Sequence, residues 1–131
     1  MYEEIDHTAD YAIHAHGEDL CALFVAAARG MNALTGGHPA GPSVQREIQV
    51  TARDLESLLV TWLEELAFLT EVEGEIYDQF EMLGLSPNAL HARVRGGRAI
   101  GLEKLIKAVT FHDLSIRETP DGWETSVVFD V

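Results

Sequence analysis

The chain has 131 residues, enough for one domain with a hydrophobic core and too few for two ordinary ones, so we expect a single domain spanning residues 1–131. Its 9 basic residues against 22 acidic residues give a formal net charge of −13, which excludes non-specific attraction to a nucleic-acid backbone because like charges repel. The one cysteine, Cys21, excludes an internal disulfide bond, and no apolar run reaches the ~20 residues of a membrane span. With no leader-like N-terminus either, we expect a cytoplasmic protein that does not contact a membrane.

Two amphipathic helices are predicted in the first half of the chain. The first has Glu18 and Asp19 in its first turn, apolar residues at three- and four-residue spacing over 20–34, and its end at Thr35-Gly36-Gly37. The second starts at a cap supplied by Thr51 or Asp54 and ends at Gly74. Its leucine stripe with Trp62 is typical of a core rather than a binding groove, so we interpret Trp62 as a packing residue whose indole N–H needs an acceptor.

Alternating apolar and polar residues predict strands over 11–16, 44–50, 76–85, 89–95, 108–117 and 123–130. Two prolines predict an irregular loop over residues 38–42. Turns are predicted at Ser86-Pro87-Asn88, Gly96-Gly97 and Pro120-Asp121-Gly122. Two early helices followed by adjacent strands predict an α+β fold, with the two amphipathic helices packed on a mainly antiparallel sheet.

Acidic groups lie at the start of the first of these strands and at the end of the last. His7-Thr8-Ala9-Asp10 precedes the first strand, and the last strand ends on Asp130 and the α-carboxylate of Val131. If the two strands pair, these oxygen donors converge and suit calcium, magnesium or manganese better than zinc. The residues alone favour a simpler alternative, in which Asp10 bonds its own backbone in a turn and Asp130 is a solvated end residue.

A second candidate region holds five of the nine basic residues within fifteen positions: Arg93, Arg95, Arg98, Lys104 and Lys107. Arg93 and Arg95 share a strand face and can present a basic patch to an acidic protein surface or a phosphate, although a solvated sheet face is the favoured alternative. Pairing of the last strands would bring Lys107 near the terminal acids. His112 is interpreted as a polar-face residue in mid-strand, with a ligand role the less favoured alternative.

No signature of an enzyme stands beside these acids. The sequence has no Gly-x-Ser-x-Gly motif, no phosphate-binding glycine loop and no Cys or His pair at zinc spacing. Hydrolysis by metal-activated water at Asp10 and Asp130 is therefore only a contrasting hypothesis, because such a site normally needs more ligands and a positioned base.

Four segments, in order, resemble the archease family: His7-Thr8-Ala9-Asp10, the helix over 54–66, Lys107-Ala108-Val109-Thr110-Phe111-His112, and residues 127–131. The resemblance extends over the whole chain and implies an archease-like α+β fold. It implies an accessory protein, not an enzyme, that activates an RtcB-type RNA ligase by promoting its GTP-dependent guanylylation in tRNA splicing and RNA repair. RNA itself would then be met only indirectly.

The resemblance also implies which residues form the site. The metal ligands would be Asp10, Asp130 and Val131, and calcium is preferred as the divalent ion over magnesium or manganese. From the residue patterns, and not from the resemblance, site support or partner contact is expected from His7, Arg93, Arg95, Lys104, Lys107 and His112. The alternative partner that the resemblance implies is a tRNA methyltransferase, toward which the protein would act as a chaperone-like modulator.

Overall fold

The computed structural model describes residues 1–6 and 11–131, over which the chain forms two helices and eight strands. In chain order the elements are β1 (Tyr2–Asp6), β2 (Tyr11–Gly17), α1 (Leu20–Thr35), β3 (His38–Thr51), α2 (Leu55–Glu73), β4 (Glu75–Leu85), β5 (Ala89–Ile100), β6 (Ala108–Val109), β7 (Arg117–Thr119) and β8 (Gly122–Asp130). All the strand pairs described are antiparallel. The predicted α+β class is confirmed.

The strands form two sheets where the sequence predicted one. The five-stranded sheet has the order β1-β2-β8-β6, with β7 also paired to β8, and the three-stranded sheet has the order β3-β5-β4. Helix α1 packs mainly on β2, while α2 contacts β3, β4, β5 and β6 and so bridges the two sheets. The first and last strands of the prediction, now β2 and β8, are direct neighbours.

Local signals set the ends of both helices, as predicted for α2, whereas Asp19, predicted to lie in the first turn of α1, is its N-cap. Asp19 and Asp54 are the N-caps, and each carboxylate accepts the backbone N–H of the residue three positions on at 2.8 Å. Gly36 (φ 78°) and Gly74 (φ 68°) end the helices in the left-handed conformation that glycine adopts without strain. Within residues 1–6 and 11–131, no helix is both long enough and apolar enough to cross a membrane.

Trp62 lies at the centre of the core between the two helices. Its side chain is 0% exposed, and its indole Nε1–H donates to the Phe24 carbonyl oxygen of α1 at 3.1 Å. The ring meets Phe80 of β4 edge-on, with centroids 6.1 Å apart. Both parts of the prediction for Trp62, packing and a satisfied indole N–H, are confirmed.

The predicted loop over residues 38–42 and the predicted Gly96-Gly97 turn are wrong, because both segments lie within strands. Pro39 lies within β3, where it pairs with Ala99, and an edge strand tolerates a residue without an N–H donor. The predicted Gly96-Gly97 turn lies inside β5. A side chain at Gly96 would collide with the carbonyl oxygen of Ile76 on β4, so glycine is required by the close approach of the strands.

The strand predicted over 108–117 is also wrong, since it divides into β6 and β7 around a turn. The Thr110 N–H and the Thr110 hydroxyl both donate to the Val128 carbonyl at 3.0 Å, and the hydroxyl accepts the His112 N–H at 3.3 Å, so side-chain bonds follow the last main-chain bond of this strand pair. Asp113 has a positive φ of 52°, which an extended strand does not allow. His112 therefore lies in a turn and not in mid-strand.

A partly buried ion pair ties β3 to the start of β4. Arg46 Nε donates to Glu75 at 2.7 Å, and the Tyr77 hydroxyl donates to the same carboxylate at 2.6 Å. These hydrogen bonds, that from Arg46 foremost, hold the pKa of Glu75 below its ordinary value of 4.5 although burial opposes the charged form.

The depressed pKa of Glu75 predicts how stability depends on pH. The ionised carboxylate contributes to the free energy of unfolding above pH 4.5, and that contribution is lost as pH falls through the lower folded-state pKa. We therefore expect Glu75→Gln to unfold at lower urea concentration than the wild type at neutral pH, with the difference shrinking below pH 4.5. Glu118→Gln, at an exposed position, is the control. A gap between Glu75→Gln and wild type that is the same at acid and neutral pH would contradict this.

Candidate functional site

Strand β8 delivers Asp130 to the end of the five-stranded sheet. The preceding residue, Phe129, is 0% exposed and anchors the strand in the core, whereas Asp130 is exposed. On β6, Ala108 pairs with Asp130, and the Lys107 N–H donates to the Asp130 carbonyl oxygen at 2.7 Å. The main chain of Asp130 is thus fixed while its side chain is open to solvent.

The neighbouring strand β2 starts beside this point. Tyr11, its first residue, pairs with Phe129, and Asp10 is the residue before Tyr11 in the sequence. The pairing of first and last strands on which the predicted site depends is therefore confirmed. Asp10 and His7 themselves lie outside the described residues, so their part in the site stays a prediction.

The chemistry of Asp130 fits a hard cation, since an exposed carboxylate offers oxygen donors without the loss of any core contact. Val131, which follows the strand, is half-buried. Among residues 1–6 and 11–131, no three His, Cys, Asp or Glu side chains are grouped as a metal-ligand set. The predicted ligand set is of another kind, because it combines Asp130 with Asp10, which lies outside the described residues, and with the α-carboxylate of Val131.

Two lysines lie beside these strand ends. Lys104 Nζ is 5.1 Å from the centroid of the Tyr11 ring, a cation–π contact with the residue that follows Asp10. Lys107 lies beside Asp130, as the sequence predicted, but it is the Lys107 main chain that makes the contact, and the residue also lines a groove against α2. Charge spacing along the sequence gave no signal for the contact of Lys104 with Tyr11, because the two residues meet only through the tertiary fold.

The five clustered basic residues of the sequence do not form one patch. Arg93 and Arg95 line a groove on the outer face of the three-stranded sheet, whereas Lys107 lines the groove against α2. Arg93 and Arg95 do share a face, as predicted, since the alternate residues Ala92 and Val94 are buried on the other side of β5.

The two arginines on that face differ in how their charge is compensated. Arg93 binds Glu81 at 2.8 Å and Glu47 at 3.3 Å, so two carboxylates surround it. Arg95 donates to the neutral amide oxygen of Gln45 at 2.8 Å. Arg95 therefore offers the less compensated positive charge to an approaching molecule.

His112 and its neighbour form an exposed pair on the turn after β6. Its Nε2 lies 3.2 Å from the Asp113 carboxylate, and its side chain is 69% exposed. The contacts described for His112 are with Thr110 and Asp113, residues of the same turn.

A sequence model described as the Archease protein family matches residues 2–131, nearly the whole chain. The chain belongs to the archease family. Among its relatives, the archease of Methanosarcina barkeri is 35% identical over 140 residues, covering 100% of this chain and 96% of the relative. The archease of Pyrococcus furiosus is 32% identical over 143 residues, covering 100% and 99%.

Two solved structures share the archease fold. The solution structure of protein 1598 from Methanobacterium thermoautotrophicum has a TM-score of 0.70 and 29% identity, and the match covers 99% of this chain and 98% of that one. The crystal structure of a Thermotoga maritima archease, described as a possible chaperone, has a TM-score of 0.72 at 23% identity, covering 100% and 98%. At that identity the second likeness is one of fold alone.

Proposed function

We propose that this chain is an accessory protein that activates an RtcB-type RNA ligase by promoting its GTP-dependent guanylylation in tRNA splicing and RNA repair. The observation that carries the proposal is the archease match over residues 2–131, within which the four archease-like segments stand in order. The exposed Asp130 on a strand that is fixed on both sides supports it, because an activator must present its functional groups to another protein in a defined geometry.

The proposal includes a divalent ion, with calcium preferred and magnesium or manganese the alternatives. Asp10, Asp130 and the Val131 carboxylate would hold it. When bound, such an ion supplies concentrated positive charge and coordination positions open to phosphate oxygens. The chain's own contribution is to fix the main chain of Asp130 through the Lys107 N–H, and to set Lys104 against the ring of Tyr11, the residue that follows Asp10 in the sequence.

A second candidate function is that of a chaperone-like modulator of a tRNA methyltransferase. The description of the Thermotoga maritima archease as a possible chaperone favours this candidate. The two candidates separate experimentally, since the second requires a change in methyltransferase solubility or site choice with no change in ligation rate. A metal-dependent hydrolase is the contrasting class. Phosphoester turnover by the purified protein that is lost in Asp10→Ala would favour it.

Multiple-turnover RNA joining tests the proposed function. The cognate ligase is supplied with RNA carrying 2′,3′-cyclic-phosphate and 5′-hydroxyl ends, with GTP and divalent metal, and with or without this protein. We expect the protein to raise the turnover number of the ligase while joining no RNA alone. Joining that proceeds equally in its presence and absence would contradict the proposal.

Arg95 provides a prediction about how the partner approaches. If the outer sheet face meets an acidic ligase surface, Arg95→Glu should slow association and flatten its salt dependence, because the long-range attraction is lost. Arg93 is less suitable for this test, since its reversal would set a third carboxylate between Glu47 and Glu81. Stopped-flow association at several salt concentrations measures the effect, with the exposed Arg53→Glu as control. Equal association rates for Arg95→Glu and the wild type would show that this face does not attract the ligase and is only a solvated surface.

A further inference from the structure

A groove of about 430 Å³ runs between the outer face of α2 and the segment around β6. It is lined by Glu64, Glu65, Phe68 and Glu71 on one side and by Lys107 and Val109 on the other. The predicted core role of α2 concerns its opposite face, where Leu58, Trp62 and Leu66 are buried. The outer face of α2 is exposed to solvent, and it differs from an ordinary solvated helix face because it carries large apolar side chains.

Three large apolar side chains are exposed on or beside this groove. Phe68 and Val72, one helical turn apart on α2, are 52% and 58% exposed, and Leu105 is 49% exposed. A smaller cavity lined by Leu105 shares Glu71 with the groove, so the apolar groups lie along one surface. Exposed apolar side chains gathered beside a concave surface with a polar rim are typical of protein interaction sites.

The rim of the groove is acidic. Among residues 1–6 and 11–131, no charged nitrogen lies within 4.0 Å of a carboxylate oxygen of Glu64, Glu65 or Glu71. Three carboxylates against the one lysine of the groove, Lys107, on a chain of net charge −13, give this surface a negative potential. A second copy of this chain would bring the same acids against them, so charge disfavours self-association here and favours a basic partner.

We propose that this groove is the docking site for a basic, amphipathic segment of the ligase. An apolar side chain of that segment packs against Phe68 and Leu105, and its lysines or arginines pair with Glu64 and Glu71. The inference rests on the proposed function for the identity of the partner. The groove and the strand end are continuous, because Lys107 lines the groove while its main-chain N–H holds Asp130. Docking in the groove would therefore align Asp130 with the partner.

Equilibrium binding of the full-length protein to the ligase tests the docking site. Glu64→Lys with Glu71→Lys should weaken binding about tenfold or more, because attraction is replaced by repulsion at the contact. The matched control is Glu118→Lys with Asp121→Lys, which changes net charge equally at exposed positions on the β7–β8 hairpin and should change affinity less than about twofold. Phe68→Ala should weaken binding about fivefold through lost apolar contact, whereas Leu83→Ala, exposed on β4, should have little effect. Thermal unfolding checks that each variant is folded.

A second readout separates this inference from the proposed function. At saturating protein the docking variants should reach the wild-type rate of ligase guanylylation, since Asp130 is unaltered, and only the half-saturating concentration should rise. Wild-type affinity in both the double reversal and Phe68→Ala would overturn the docking site and leave the activation proposal standing. If the wild-type protein binds the ligase without stimulating guanylylation, the activation proposal is overturned, and the affinities of the variants still test the docking site. If the wild-type protein does not bind the ligase, both proposals are overturned.

Sedimentation tests the remaining alternative. If Phe68→Ala alters self-association instead of ligase affinity, the groove is an interface between copies of this chain and the docking proposal is wrong.

Discussion

Asp130→Ala is expected to remove most of the stimulation of ligase guanylylation while the protein stays folded. The loss should be at least about tenfold, since disturbing even the outer partners of a metal site commonly costs about 10–100-fold. Folding should survive because Asp130 is exposed and because Phe129 keeps the strand in the core. The bond from the Lys107 N–H goes to the main-chain oxygen of Asp130 and is retained.

Guanylylation assays and calorimetric titration with calcium, magnesium and manganese measure the effect of Asp130→Ala. The matched control is Asp121→Ala, which removes an exposed acid from the turn before β8 and should change neither quantity. Asp10→Ala should reproduce the loss, and removing one acid from a mutually repelling set should slightly stabilise the metal-free protein. Residues appended after Val131 test the expected terminal ligand, because they convert a carboxylate into a neutral amide. Unchanged metal affinity in the extended protein would exclude Val131 from the site.

Trp62→Ala is expected to have the largest effect on stability, lowering the free energy of unfolding by about 3–5 kcal/mol. The side chain is 0% exposed, so its removal leaves a cavity between α1 and α2. It also removes the donor to the Phe24 carbonyl and the edge-on contact with Phe80. Urea unfolding followed by circular dichroism measures the loss.

Two further variants make the test of Trp62 specific. Trp62→Phe keeps a ring and loses the N–H, so its free energy of unfolding should lie between those of the wild type and Trp62→Ala. Phe68→Ala, on the exposed face of the same helix, should change stability by no more than about 0.5 kcal/mol. Similar losses for Trp62→Ala and Phe68→Ala would contradict the assignment of α2's inner face as the core.

The sequence predicted those parts of the fold whose causes are local. Asp54 and Gly74 mark the ends of α2 because a cap acts within one turn, and the leucine stripe follows from helical periodicity. It failed where the cause is distant in sequence. Gly96 resembles a turn residue, yet it is needed because β4 passes close to its backbone, and Pro39 is tolerated because β3 is a sheet edge. Neither fact is visible before the strands are paired.

The candidate site divides in the same way. Alternation predicted the first and last strands but left their pairing as a condition, which the structure meets by bringing Tyr11 opposite Phe129. The contact of Lys104 with Tyr11 was not predictable, because it depends on how the segment after β5 crosses the end of β2. The groove on α2 was missed for a related reason: periodicity identified the buried stripe and said nothing of Phe68 on the opposite face.

The most direct test of the central claim is the rate at which the cognate ligase becomes guanylylated by labelled GTP, measured while this protein is added from far below to equimolar with the ligase. We predict that the wild type accelerates guanylylation in the presence of divalent metal and that Asp130→Ala, although folded, does not. Guanylylation that is indifferent to the wild type, or that Asp130→Ala accelerates equally well, would contradict activation through this strand end.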